Sequence, residues 1–309
     1  QLSSTGGLIS FEKGALQSGG SFDLTNTTLQ LGDNFVKSAG TITTTSDGTV
    51  LNLTESVYLT SDTALSLKTL NLNDKTITLG SETSDLSVSD AITLNSADEK
   101  ILTGSADLSV NGIISIENGS LESSGGTLNL SGKINQTGGV INIADSIFNL
   151  NSDLSKTGGT LQTSGTTITP LSNLNITSDT TITAKTIELS DKTLSLGSED
   201  SNLILTDSFS IQNSSATLNT GNADLSVEGV ITLSDGKLTS TGGKIAFMNG
   251  GIQSGDFEID LGESFLSLGA DFIKTSGEIK STLATLDLLS NITLTSDSGL
   301  IFKQLNLND

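Results

Sequence analysis

The amino-acid sequence contains no cysteine, histidine, tryptophan or arginine, and all 14 of its basic residues are lysine. Without cysteine, the chain has no disulfide framework, no thiolate metal site and no cysteine nucleophile. Without histidine, it has neither a serine–histidine–aspartate triad nor a zinc site of the usual kind. We therefore expect a protein without enzymatic activity and without a resident cofactor, calcium being the one ion left as a candidate.

Positive charge is also scarce, because 14 lysines stand against 35 acidic residues and give the 309-residue chain a net charge of −21. Nucleic acid is not an expected partner of such a surface. No apolar run approaches the roughly 20 residues that a membrane-spanning helix needs. The hydrophobic content of 34% is arranged in regular alternation, and this predicts a folded chain rather than a disordered one.

A unit of about 118 residues, here called the super-repeat, occurs twice in full and a third time in part. Residues 70–82, for example, return as residues 187–199 with only conservative changes at the apolar positions. Such a period is typical of repeat architectures. We predict three repeats, at residues 1–120, 121–237 and 238–309, which form one continuous stack without linkers.

Short runs of alternating apolar and polar residues dominate the chain, as in residues 127–130 (Thr-Leu-Asn-Leu) and 193–196 (Thr-Leu-Ser-Leu). This period of two is the signature of half-buried strands. Turn sequences such as Thr137-Gly-Gly separate the runs, and no stretch has helical periodicity with caps. The sequence therefore predicts an all-β protein.

Two all-β architectures fit the super-repeat, namely a β-solenoid of stacked parallel coils and a string of β-sandwich domains of about 100 residues each. Short and evenly spread strands favour the solenoid, as do an aliphatic core with 4% aromatic residues and the lack of linkers between copies. We predict a single-stack parallel β-helix, in which coils of about 20–24 residues would place about five or six coils in each super-repeat. Tandem β-sandwiches remain the alternative.

Strings such as Thr137-Gly-Gly-Val-Ile-Asn-Ile143, in an acidic and cysteine-free repeat, give the whole chain a resemblance to β-helical stalks. These stalks belong to large secreted surface proteins, such as filamentous-haemagglutinin-like adhesins and subunits of extracellular filaments. The resemblance implies a parallel β-helix at the cell surface. It supplies no catalytic residues and no secretion motif.

Acidic residues recur at equivalent corners of the super-repeat and are candidate ligands for Ca²⁺, which prefers oxygen donors in loops. One set comprises Asp62, Asp179 and Asp297, and a second comprises Asp74 and Asp191. The other interpretation is that aspartate is simply a good turn residue. Neither an EF-hand loop nor a Gly-Gly-x-Gly-x-Asp calcium repeat is present.

Asn-x-Ser/Thr sequons are the remaining candidate sites, and those at Asn52, Asn175 and Asn291 are candidates for glycosylation. In a chain this rich in serine and threonine, many sequons arise by chance. They matter only if the protein is secreted by an organism that glycosylates asparagine.

The function predicted from these features is a structural, non-catalytic extracellular rod. It would be the repeat segment of a giant cell-surface adhesin or the subunit of a surface filament or sheath. The expected partners are other copies, bound end to end or laterally, the rest of a longer repeat chain, and surface glycans. The first alternative is an adhesive module that binds carbohydrate or Ca²⁺ on one solenoid face. A polysaccharide-acting enzyme on a β-helix is the least favoured alternative.

Overall fold

The computed structural model describes residues 1–270, 272–281, 283–290, 292–294 and 302–307. The fold is a β-solenoid of about 15 turns with coils of about 20 residues, and the described residues contain no helix. The predicted all-β solenoid is thus confirmed, because its sheets are parallel, whereas sandwich domains are built from antiparallel sheets. Among the described residues no helix is long and apolar enough to cross a membrane.

Contacts divide the chain into two compact units. Unit 1 comprises residues 1–151 and 155–163, and unit 2 comprises residues 152–154 and 164–309. The division into three repeats rests on sequence similarity alone and remains a prediction.

In unit 1 each strand pairs in parallel with the strand one coil further along the chain. The strands fall into four sheets. These are β1 (Leu2–Ser3), β3 (Ala15–Asp23), β5 (Phe35–Thr43), β7 (Val57–Thr60), β10 (Thr76–Leu79), β13 (Lys100–Gly104), β16 (Ser120–Ser123), β19 (Val140–Asn142) and β22 (Thr160–Gln162); β2 (Leu8–Phe11), β4 (Thr28–Leu31), β6 (Val50–Leu53) and β9 (Thr69–Asn71); β8 (Leu65–Leu67), β11 (Leu86–Val88), β14 (Leu108–Val110), β17 (Thr127–Leu130) and β20 (Ile147–Leu150); and β12 (Ile92–Leu94), β15 (Ile114–Ile116) and β18 (Ile134–Gln136).

Strand β21 (Leu154–Lys156) belongs partly to each unit, because Leu154 lies in unit 2 and residues 155–156 lie in unit 1. The strands of unit 2 also pair in parallel. They are β23 (Thr167–Pro170) and β26 (Thr186–Ile187); β24 (Leu174–Thr177), β27 (Thr193–Leu196), β29 (Phe209–Asn219), β31 (Ile231–Ser240), β33 (Gly251–Gln253), β34 (Glu258–Leu261), β36 (Phe272–Lys274), β37 (Glu278–Lys280) and β39 (Ile292–Leu294); and β25 (Ile182–Ala184), β28 (Leu203–Leu205), β30 (Leu225–Val227), β32 (Lys244–Phe247), β35 (Phe265–Leu268), β38 (Thr285–Leu288) and β40 (Gln304–Leu307).

The cores are ladders of aliphatic side chains, because the period-2 alternation points every second residue inward. In unit 1, Leu86, Leu108 and Leu128 lie in register and are at most 2% exposed. In unit 2, Leu225 and Ile245 form a ladder of the same kind. Each coil therefore buries its apolar face chiefly against the coils before and after it.

The Thr-Gly-Gly corner at residues 137–139 brings the main chains of neighbouring coils into close approach. A Cβ at Gly138 would lie 1.9 Å from the carbonyl oxygen of Glu117 in the preceding coil. The next residue, Gly139, has a φ of +60°, a conformation that residues with a side chain adopt at a cost. Glycine at this corner therefore permits the coil spacing.

Candidate functional site

A corner of hydrogen-bonded serines occurs in both full copies of the super-repeat. In unit 1 the buried Ser84 hydroxyl accepts a hydrogen bond from the backbone N–H of Ser61 at 2.9 Å. In unit 2 the buried Ser201 hydroxyl accepts one from the N–H of Ser178 at 2.8 Å. Each pair joins residues of two consecutive coils, so the repeated serines close the corner and satisfy the backbone N–H groups of Ser61 and Ser178.

Recurring corner aspartates bind the main chain of the following coil. The Asp107 carboxylate accepts a hydrogen bond from the N–H of Thr127 at 2.7 Å, and Asp224, its equivalent in the next copy, accepts one from the N–H of Lys244 at 2.6 Å. A hydrogen bond to an ionised acceptor is roughly twice as strong as a neutral one. These carboxylates therefore have a structural role in fixing the stack.

Asp62, one of the predicted calcium ligands, is the partner of a buried lysine. The Lys37 side chain is fully buried, and its ammonium group donates a hydrogen bond to the Asp62 carboxylate, which is 43% exposed. An ammonium group buried in an aliphatic core is strongly destabilising unless it is paired. Asp62 therefore compensates a buried charge, and this role explains its place at the corner without a metal.

Sequence analysis missed a set of buried polar residues that recurs with the super-repeat. Lys37, Lys156 and Lys274 are each 1% exposed. Gln17 lies in register beneath Lys37, and Gln253 lies in register beneath Lys274. The signal was present, because alternation in Phe35-Val-Lys37 places the lysine on the same inward face as the phenylalanine.

Main-chain carbonyl groups at the corners bind these inward side chains. The Gln17 amide donates a hydrogen bond to Thr41 at 2.8 Å, and the Gln253 amide donates one to Glu278 at 3.0 Å. The Lys274 ammonium donates a hydrogen bond to the carbonyl oxygen of Gly277 at 2.8 Å, and burial lowers the pKa of Lys274. The inward amides and ammonium groups thus tie the core to its corners.

The other aspartates predicted to bind calcium stay at the surface where the structure describes them. Asp74 is exposed and has a φ of +61°, and Asp179 is also exposed. Asp191 forms an ion pair with Lys192 at 2.6 Å, and hydrogen bonding to that ammonium group lowers the pKa of Asp191. Asp297 lies outside the described residues. In the described part of the chain no three acidic residues are grouped so that they could hold a metal, and calcium binding remains a prediction.

The candidate glycosylation sites differ in environment. Asn52 is half-buried on β6, and its side-chain oxygen accepts a hydrogen bond from Asn71 at 2.6 Å. Asn175 is exposed on β24. Asn291 lies outside the described residues. Asn175 is therefore the accessible candidate of the described pair, and glycosylation remains a prediction.

A network of ion pairs covers the outer face of β31, β34 and β37 in unit 2. The Lys237 ammonium lies 2.7 Å from Glu258 and 3.1 Å from Asp260. The Lys280 ammonium lies 3.0 Å from both Glu258 and Glu278. Hydrogen bonds from the two lysines lower the pKa of Glu258, while those to the carboxylates raise the pKa of Lys237 and of Lys280.

Unit 2 also contains a cleft of about 630 Å³ beside β26. Strand β26 pairs with β23, and the described residues form no ladder between β26 and the beginning of β29. The coil that follows is longer than its neighbour, because residue 193 is in register with residue 217, whereas residue 174 is in register with residue 194. This longer coil includes residues 208–213, which line the cleft.

The residues that line this cleft alternate between buried apolar and exposed polar side chains, as they do along the strands. Ile187, Phe209 and Ile211 lie behind it and are at most 2% exposed, whereas Val230 presents an exposed apolar side chain to it. Exposed polar side chains form its rim, namely those of Glu188, Ser190, Ser208, Ser210, Gln212 and Asn213. The cleft thus combines one exposed apolar side chain with several exposed hydrogen-bonding groups.

Comparison of the chain with protein-family models, with curated proteins and with solved structures finds no match.

Proposed function

We propose that this chain is a structural, non-catalytic segment of an extracellular rod. It would act as the repeat segment of a large cell-surface adhesin or as the subunit of a surface filament or sheath. One observation carries the proposal. The polar residues that recur with the super-repeat, such as Ser84 and Ser201, bind the main chain of an adjacent coil. Selection for coil stacking accounts for such recurrence, whereas a catalytic centre has no reason to occur once per repeat.

The acidic, cysteine-free composition supports an exposed location, because a high net charge keeps a repetitive β surface soluble. Other copies of the chain, bound end to end or laterally, are the proposed partners, together with surface glycans. Antibodies raised against the chain test the location on intact cells of the source organism. Labelling of unpermeabilised cells is the expected result. Labelling that appears only after permeabilisation would contradict the proposal.

The cleft beside β26 favours a second function, that of an adhesive module which binds carbohydrate on one solenoid face. Its exposed polar side chains beside the exposed Val230 are the observation that supports this function. The two functions are compatible, since a stalk can carry a binding site on one of its coils.

A further inference from the structure

We propose that the cleft beside β26 is a binding site for an uncharged saccharide, specific to the second copy of the super-repeat. This inference rests on the second proposed function and names its ligand class and its residues. The volume of about 630 Å³ falls within the range of about 300–1,000 Å³ that is usual for ligand sites. It leaves room for one or two sugar rings.

The chemistry of the lining matches both kinds of surface that a sugar ring presents. The C–H groups of a pyranose form an apolar face, which the Val230 side chain, 51% exposed at the cleft, can contact. Ring hydroxyls both donate and accept hydrogen bonds. The Glu188 carboxylate and the Gln212 amide can each bind two neighbouring hydroxyls, because planar groups present two polar atoms side by side.

Comparison with the first copy supports a dedicated site. There, the residue equivalent to Glu188 is Asn71, which donates a hydrogen bond to Asn52, and the residue equivalent to Ser190 is Asn73, which donates one to the carbonyl oxygen of Leu53. In the second copy, the side chains of Glu188, Ser190 and Gln212 make no hydrogen bond to any part of the chain that the structure describes. Their polar groups remain available to a ligand.

The corner that closes this region in the first copy has also changed. The Glu99 carboxylate accepts hydrogen bonds from the N–H groups of Asn95 at 2.8 Å and Ser96 at 3.2 Å. The equivalent residue in the second copy is Ala216, which lines the cleft. An alanine in this place removes both the carboxylate and its volume, so the second copy keeps the longer coil but leaves its space open.

Charge decides the class of saccharide. The residues that line the cleft include the Glu188 carboxylate and no lysine. The whole chain carries a net charge of −21. Sulfated sugars, phosphorylated sugars and uronic acids would be repelled by this field, whereas an uncharged hexose or N-acetylhexosamine would not.

The test begins with the full chain on an immobilised panel of uncharged, amino-bearing and anionic oligosaccharides, followed by titration calorimetry with each uncharged hit. We expect binding to at least one uncharged oligosaccharide. The double variant E188A/Q212A removes two exposed rim groups and should weaken that binding at least about tenfold. Its matched control, N71A/N95A, changes the equivalent positions of the first copy and should leave the affinity unchanged.

The variant A216E restores the residue of the first copy and should abolish binding by filling the cleft, with circular dichroism as the check that it folds. Equal loss in both double variants would overturn the assignment to this cleft, as would a preference for anionic sugars. Failure of the panel and of saturation-transfer NMR to detect any uncharged ligand would overturn the site itself. The antibody labelling of intact cells is independent of these results, so the structural proposal and this inference can fail separately.

Discussion

The two full copies of the super-repeat agree in the contacts that join coils and differ in what they expose. Both keep the serine corner, with Ser84 in one copy and Ser201 in the other. Other positions diverge, because the buried Ser120 and the half-buried Val140 of unit 1 correspond to Lys237 and Glu258, which form ion pairs on the surface of unit 2. The comparison teaches that coil stacking constrains the inward and corner residues, whereas the outer faces are free to specialise.

The largest expected effect distinguishes two corners with the same Thr-Gly-Gly sequence. Gly138→Ala places a Cβ 1.9 Å from the Glu117 carbonyl oxygen and should reduce the free energy of unfolding by about 3 kcal/mol. Gly6→Ala, at the first glycine of the corner at residues 5–7, meets no atom within 4 Å and should change it by less than about 0.5 kcal/mol. Denaturant unfolding measures both. Equal effects would contradict the claim that coil spacing explains the glycine.

The second largest effect on stability is expected from the ion pair between Lys37 and Asp62. Asp62→Ala leaves the fully buried Lys37 ammonium without its carboxylate and should destabilise the chain by about 2 kcal/mol, less than for a wholly buried pair because Asp62 is 43% exposed. The double variant Lys37→Met/Asp62→Ala should recover most of that loss in thermal unfolding. If the double variant is as unstable as Asp62→Ala, the buried charge is not the cause. If a chelator lowers the stability of the wild type and added calcium restores it, the calcium interpretation of Asp62 would be favoured.

The serine corners test whether the copies are equivalent in energy as well as in geometry. Ser84→Ala and Ser201→Ala each remove the acceptor of a buried N–H and should each destabilise by about 1.5 kcal/mol. Ser87→Ala, on an outward position of β11, serves as the control and should have little effect. A difference of more than about 1 kcal/mol between the two corner variants would show that the copies have diverged in their stacking contacts.

The smallest effect concerns the charged face of unit 2 and depends on pH. The pKa of Glu258 is lowered from its ordinary value of 4.5, so its contribution is complete above that value and is lost as the pH falls through the lowered pKa. The pKa of Lys237 is raised from 10.5, so its contribution is complete below that value and is lost as the pH rises through the raised pKa. Between these limits the contribution of the network should be constant.

Glu258→Gln should therefore flatten the acid limb of the stability profile and cost about 0.5 kcal/mol at neutral pH, since exposed ion pairs contribute little. The matched control is Glu122→Gln on β16 of unit 1, where the described residues include no ion-pair partner for Glu122. Its acid limb should be unchanged. The same flattening in both variants would mean that the network is not its source.

Much of the fold could be predicted. The alternation of residues 127–130 indicates which side chains point inward, and the super-repeat indicates a stack of repeated coils. The inward position of Lys37 could also be predicted from alternation. Its charge argues against burial unless Asp62 is known to lie one coil further along. The ion pairs of Lys237 depend on the register between β31 and β34, which the sequence does not specify without the length of each coil. The cleft lies beside β26, which pairs with β23 and ends its sheet in the described part of the chain, and this is a property of strand pairing rather than of composition.

Mechanical unfolding of single molecules, pulled from both ends, tests the central claim most directly. If coils are the structural units and each is held by its neighbours, the chain should unfold in successive steps that each release about 20 residues, or ~70 Å of extended length. Release of a whole super-repeat of about 118 residues in single events of ~400 Å would contradict it, because the copies would then behave as separate domains.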